Sequence, residues 1–279
     1  MLSVAYTLRT TRQDFAEAIR WHLAPFRRAT TVQHSQPVDL FVTEEDLDAA
    51  PEAYTYFRGT RALYKHTDLG EVLREAIWDL HASVPQRARD FVFLHAGAVA
   101  SEGRALLLPA RMDCGKSSLT LALLGAGWDY LSDELAPIDP VTRRVYPFPK
   151  LISLDAGSLE FFPGVTQRLE DRRGLSAALP ERYVRPEDVD AGTADKAPVA
   201  WLVFPTSDFG GPVRLTPVST AAAVEGMAAN ALNLYRYGDR GVALLASVAR
   251  DAAAFTISGG DPRARAEEIT RQLSSVAAG

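Results

Sequence analysis

A chain of 279 residues, 47% of them hydrophobic and 23% charged, is long enough for one large core or two moderate ones and has the balance of an ordinary globular protein. Its net charge of −5 is spread without a basic cluster, which argues against a broad nucleic-acid surface and leaves anionic small ligands open. The single cysteine, Cys114, excludes an intramolecular disulfide and a four-cysteine zinc site, and no stretch approaches the roughly 18 apolar residues of a membrane helix.

The first fifteen residues lack the basic start and apolar run of a signal peptide, so the sequence places the protein in the reducing cytoplasm, without a membrane partner. Along the chain, Val4–Leu8 alternates like a short strand. Asp14–Leu23 carries helical apolar spacing with Thr10 or Thr11 available as cap, and Val38–Thr43 reads as a strand. Asp68 with Glu71 makes a capping-box-like start for a helix through Leu69, Val72, Leu73, Ile77 and Leu80. Ala82–Arg89, with a proline and no apolar period, reads as the boundary between a small α+β domain, residues 1–88, and a larger domain, residues 89–279.

From Phe91 the pattern becomes α/β: buried strands joined at Ser101–Arg104, an apolar helix Ser117–Leu124 stopped at Gly125-Ala126-Gly127, then a strand from Trp128 ending at Asp133. Asp155–Ala197, rich in Gly, Pro and charge, is expected as loops and short helices over the catalytic face. Val199–Phe204 and Val213–Val218 read as strands, with Trp201 and Phe204 in the core. Ala221–Leu234 reads as a helix with Asn233 an ordinary polar position, and Ala254–Ile257 as the last strand. Asp261-Pro262 opens a final helix, Arg263–Val276, and the glycines before it read as turn chemistry rather than a second phosphate loop.

The chemistry concentrates between strand Ala105–Leu108 and the following helix. Ala110-Arg111-Met112-Asp113-Cys114-Gly115-Lys116-Ser117-Ser118 matches the phosphate-loop pattern G-x-x-x-x-G-K-[ST], with Ala110 in place of the first glycine. In that setting backbone amides and the helix N-terminus face a β-phosphate, Lys116 reaches β and γ oxygens, and the Ser117 hydroxyl joins a magnesium shell. A left-handed Ala110, were one required, would cost about 1–2 kcal/mol. Cys114 reads as a small residue tolerated beside phosphate, although a thiol at a helix N-terminus can also be activated.

The next strand ends in Asp133-Glu134, adjacent acids whose side chains diverge, so that one can face a substrate hydroxyl and the other a metal. The plainer alternative is a solvated turn. His95, ending the strand Phe91–Leu94, would lie beside the loop or serve as a satisfied core histidine.

Leu94-His95, Pro109–Ser118, Gly127–Glu134 and Pro147-Phe148-Pro149-Lys150 with Leu151–Leu154 together resemble the catalytic domain of HPr kinase/phosphorylase. They are closer still to the HPr-kinase-related proteins found with ribosomally made peptide clusters. The resemblance covers roughly residues 91–275 as an order of elements. It implies a phosphate-loop kinase fold, also similar to phosphoenolpyruvate carboxykinase, with Asp133 as catalytic aspartate, Glu134 as second acid and His95 beside the reacting phosphate. Lys150 sits where a base could touch phosphate or substrate, an exposed lysine being the alternative. Glu134 stands for an aspartate. The family's glycine-rich signature that contacts HPr and inorganic phosphate is not recognisable, and on that ground HPr itself and the reverse reaction are not carried over.

The activity this implies is transfer of the ATP γ-phosphoryl group to a serine-type hydroxyl of a peptide or small protein. Lys116 and the loop amides bind the triphosphate, Ser117 and Glu134 hold Mg2+, Asp133 accepts the hydroxyl proton, and His95 orients Asp133 or offsets charge. A small-molecule kinase acting on free serine and a non-catalytic, nucleotide-gated binding module remain alternatives. A peptide-chaperone partner and a homo-oligomer stay open, and the N-terminal domain offers contact rather than catalysis.

Overall fold

The computed structural model describes residues 4–28, 38–45, 53–170, 179 and 182–277. The chain divides into two compact units, Met1–Arg89 with Leu169–Arg182, and Asp90–Arg168 with Tyr183–Gly279.

The first unit contains strand β1 (Tyr6–Thr10), helix α1 (Gln13–His22), strands β2 (Val38–Glu45), β3 (Ala53–Arg58) and β4 (Arg61–His66), and helix α2 (Leu69–Arg87). The strands form one sheet in the order β1-β2-β3-β4, parallel between β1 and β2 and antiparallel beyond. Phe15 and Ile19 of α1 and Val72, Leu73, Ala76, Ile77 and Leu80 of α2 are buried at helical spacing.

Four details differ from the sequence reading. The β3–β4 hairpin was not anticipated. The N-cap of α1 is Arg12, whose side chain makes no capping bond, while Thr10 Oγ1 accepts the Arg12 N–H at 3.1 Å. Of Ala82–Arg89, read as the domain boundary, residues Ala82–Arg87 are the end of α2, which runs through Pro85 with Ser83, Val84 and Pro85 buried, and the two units divide after Arg89. Asp68 does cap α2, accepting from Gly70 N at 2.7 Å, but Glu71 pairs with Arg74 rather than closing a capping box.

The second unit is mixed α/β around a large mixed sheet. In chain order it contains β5 (Val92–Ser101), β6 (Arg104–Pro109), α3 (Lys116–Gly125), β7 (Asp129–Ser132), β8 (Leu135–Ile138), β9 (Arg144–Val145), β10 (Ile152–Leu154), α4 (Ala156–Leu159) and α5 (Pro163–Glu170). There follow β11 (Arg182–Val184), β12 (Ala197–Pro205), β13 (Arg214–Pro217), α6 (Thr220–Ala229), α7 (Asp239–Asp251), β14 (Ala253–Ser258) and α8 (Pro262–Ala277).

The sheet runs β13-β14-β12-β6-β5-β8-β9, with β7 also paired to β5. Strands β6, β12 and β14 are mutually parallel, so Pro109, Pro205 and Ser258 finish at the same edge. Strand β5 runs antiparallel to β6, and its long course pairs first with β8 and then with β7, leaving Asp133-Glu134 at the break between those two. The core consists of Leu94, Ala96, Ala98, Leu107, Leu131, Ala136, Leu202, Met227, Leu245 and their neighbours.

Between Asp155 and Ala197 the short helices α4 and α5 are present, but Tyr183 and Val184 are buried and β11 pairs with β10. Residues 171–178, 180 and 181 of that span lie outside the described residues. The helix expected over Ala221–Leu234 ends at Ala229, and α7 was missed although Leu244, Leu245, Val248 and Ala249 bury one face of it. Asn233 is 1% exposed and acts as an extra strand partner: its Oδ1 accepts from Phe93 N, and its Nδ2 donates to Phe91 O, both at 2.9 Å. Asp261 caps α8 by accepting from the Arg263 and Ala264 amides at 2.9 Å. Among the described residues, no helix is long and apolar enough to cross a membrane.

Candidate functional site

The segment Ala110–Gly115 connects the carboxyl end of β6 to α3. Ala110 is buried and does not adopt a positive φ, so replacing the pattern's first glycine brings no left-handed strain. The left-handed positions are Asp113 (φ 65°) and Gly115 (φ 71°). Gly115 is the N-cap of α3 and supplies no side-chain acceptor, so its cap leaves the first-turn amides for another ligand. Arg111, Met112 and Asp113 are exposed, Cys114 is half-buried, and Lys116 and Ser118 are buried.

Helix α3 is apolar on nearly all sides, with Leu119, Leu121, Leu123 and Leu124 buried, and it packs against β5 and α8. The close approach to β5 depends on Gly97. A Cβ there would lie 2.5 Å from Thr120 Oγ1 and 3.3 Å from Lys116 Cγ. Sequence reasoning missed this residue, although a lone glycine inside an apolar strand pattern is the usual sign of such an approach.

That packing brings Lys116 to His95, which lies in the middle of β5 rather than at a strand end. Lys116 Nζ stands 3.0 Å from His95 Nε2. An ammonium only donates, so Nε2 accepts and the imidazole is neutral with its proton on Nδ1. Burial, reinforced by the Lys116 and Lys150 charges, lowers the His95 pKa. Burial also lowers that of Lys116, partly offset by Asp133 and Glu134.

The acid pair diverges as adjacent residues at a strand break must. Ser132 Oγ accepts from the Glu134 and Leu135 amides and so shapes the turn. Asp133 is 2% exposed, and its Oδ2 accepts from Ser117 Oγ at 3.1 Å. Its Oδ1 is buried with no hydrogen-bond partner among the described residues. Burial raises the Asp133 pKa to about 6, with Glu134 adding to the rise while Lys150, Lys116 and the Ser117 hydroxyl oppose it.

Glu134 pairs instead with Lys150, Oε2 to Nζ at 2.6 Å. Lys150 is largely buried rather than an exposed lysine. Burial works against its charge, yet Glu134 and then Asp133 hold its pKa above the ordinary value. The Lys150 carbonyl accepts the hydroxyl of the fully buried Tyr130, which ties this segment to β7.

The structure thus gathers His95, Lys116, Ser117, Asp133, Glu134 and Lys150 at one place, with Ser117 joined to Asp133 and Glu134 joined to Lys150. Among the described residues no group of three or more His, Cys, Asp or Glu side chains forms a metal cage. Magnesium does not require one, since it is commonly bound by one or two protein oxygens together with phosphates. The Ser117 hydroxyl, Asp133 Oδ2 beside it and the Glu134 carboxylate are donors of the fitting kind. The Gly259-Gly260 turn, by contrast, has its amides engaged by Asp208 O (2.8 Å) and Gly211 O (3.1 Å) and offers no second phosphate cradle. No protein-family model matches the chain, and no curated protein matches it in sequence.

Proposed function

We propose that this protein is an ATP- and magnesium-dependent phosphotransferase of the HPr-kinase-like kind, moving the γ-phosphoryl group to a serine-type hydroxyl of a peptide or small protein. The observation that carries the reading is the buried Asp133, hydrogen-bonded to Ser117 at the mouth of an uncapped α3 and holding one carboxylate oxygen without a partner.

In this mechanism the amides opening α3 and the Lys116 ammonium bind the polyphosphate. A magnesium ion would be held by Ser117 and Glu134, with Asp133 Oδ2 close to the same shell, and would neutralise charge on the β and γ oxygens. Asp133 Oδ1 accepts the proton of the acceptor hydroxyl as its oxygen forms a bond to the γ-phosphorus. The bond from that phosphorus to the β-γ bridging oxygen breaks, and ADP departs. An aspartate with a pKa of about 6 is ionised at neutral pH yet more basic than an ordinary carboxylate, which suits that role. Neutral His95 accepts from Lys116 and keeps the ammonium aimed at the loop, and Lys150 restrains Glu134.

The test is incubation of the full chain with Mg-ATP, serine peptides encoded by neighbouring genes and, separately, free serine, following mass gain of one phosphoryl group. Gain on a peptide, abolished in Lys116→Ala, supports the proposal. Gain on free serine alone would make the protein a small-molecule kinase. Binding of Mg-ATP with no transfer to any acceptor would leave a nucleotide-gated binding module instead.

A further inference from the structure

The parallel strands β6, β12 and β14 end at one edge of the sheet. In open α/β sheets the loops beyond such carboxyl ends surround the ligand. The loop after β6 is the candidate phosphate loop. The loop after β12 carries Phe209, an aromatic ring left 46% exposed.

The ring lies against the opening of α3: a Cβ on Gly115 would meet Phe209 Cε1 at 3.1 Å and Cζ at 3.3 Å. Its position is secured by Arg265, whose guanidinium carbon is 4.5 Å from the ring centroid and whose residue is only 1% exposed. Arg265 donates to the carbonyls of Gly259 (2.8 Å), Thr206 (3.2 Å) and Asp208, so it binds the loop after β12 to the turn after β14. The amides of Gly259 and Gly260 return bonds to Asp208 and Gly211. The loop is therefore held on both sides, and the ring, packed on Arg265 along one side, stays exposed beside the opening of α3.

We propose that Phe209 is the stacking platform for the purine base of the nucleotide whose phosphates occupy Ala110–Ser118; this rests on the phosphate-site reading above. A ligand with phosphate at one end and a flat aromatic ring at the other matches the neighbouring features, the α3 amides and the Phe209 ring. Base–aromatic stacking needs no particular hydrogen-bond pattern, and a ring already fixed by a buried cation loses little freedom when a base settles on it.

The test compares calorimetric binding of Mg-ATP and of magnesium tripolyphosphate to the wild type, Phe209→Ala and Phe209→Trp. The expected result is that Phe209→Ala binds Mg-ATP about tenfold to a hundredfold more weakly while its affinity for tripolyphosphate is unchanged. Phe209→Trp should retain Mg-ATP binding and add an emission that Mg-ATP quenches and tripolyphosphate does not. Equal weakening of both ligands would make the ring a support for the Gly115 turn. Tighter tripolyphosphate binding in Phe209→Ala would make it a cover over the loop, and no change would remove it from the site. Each of these overturns the platform while leaving the phosphate site standing. A wild type that binds neither ligand would remove both.

Discussion

Two clusters of partly or fully buried charge, one in each unit, are built on opposite plans. In the N-terminal unit Asp79 accepts the Tyr56 hydroxyl at 2.7 Å and pairs with Arg58. The hydrogen bond from Arg58 raises the guanidinium pKa, and burial, followed by the bond to Asp79, raises the Tyr56 pKa well above its ordinary value. Each shift stabilises the form already present at neutral pH, and the network is closed. At the end of β7, Asp133 is shifted up while Lys116 and His95 are shifted down, each against its charged form, and one Asp133 oxygen lacks a partner. Groups held against their preferred ionisation in one place are what the proposed phosphotransferase site requires, and a closed structural pair does not.

The contrast is tested most strongly by turnover. Asp133→Asn should keep Mg-ATP binding and lower phosphoryl transfer by about 10²–10³-fold, since positioning and electrostatics supply most of such catalysis. Unchanged transfer would remove Asp133 from the chemistry. In the other cluster, Asp79→Ala should lower unfolding free energy by about 2–3 kcal/mol in a denaturant melt, short of the full cost of breaking a buried pair because Arg58 is 29% exposed. Its transfer rate per folded molecule should not move.

A smaller effect of opposite sign separates the clusters further. The Asp133 pKa is about 6 in the folded chain against 3.8 for the free carboxyl, so between these values the folded state binds more protons than the unfolded one. Stability therefore falls as pH rises through that window and stays reduced above it. The full linkage is about 3 kcal/mol, part of which the buried, incompletely bonded amide of Asp133→Asn gives back, so that variant should be more stable than the wild type by about 1–2 kcal/mol at pH 8 and by less at pH 5, as read by thermal unfolding. A loss of stability at pH 8 would show that the carboxylate is structural.

The smallest effect expected is on pH dependence. kcat/KM reports the free enzyme, so its acidic limb should lie near pH 6. Lys150 lowers the Asp133 pKa, and Lys150→Met should move that limb upward. A limb that stays put would dissociate Lys150 from the base.

Much of the site is legible in the sequence alone. The strand, loop and helix from Ala105 to Leu124 are joined by local chain, and the acids follow at the end of the next strand. The Asp68 and Asp261 caps were legible for the same reason, being bonds to amides a few residues away. Lys150 could not be read as buried, because its burial depends on a segment that returns to β7 through Tyr130. Asn233 reads as an ordinary polar position because its partners, Phe91 and Phe93, lie some 140 residues earlier in the chain. Helix α7 differs, since its apolar spacing is present in the sequence but sits behind Gly238 and Gly241, which read as breakers.

By itself, the sequence determined that a glycine-lysine-serine turn would open an apolar helix after a buried strand, with two acids shortly behind it, because hydrophobic pattern and backbone sterics act over short spans. Only the tertiary structure decided that Ser117 meets Asp133, that Lys150 meets Glu134 and that Phe209 lies against Gly115. Those pairings follow from how distant strands register in one sheet, a choice made by the burial of the whole core rather than by any residue's neighbours in the chain.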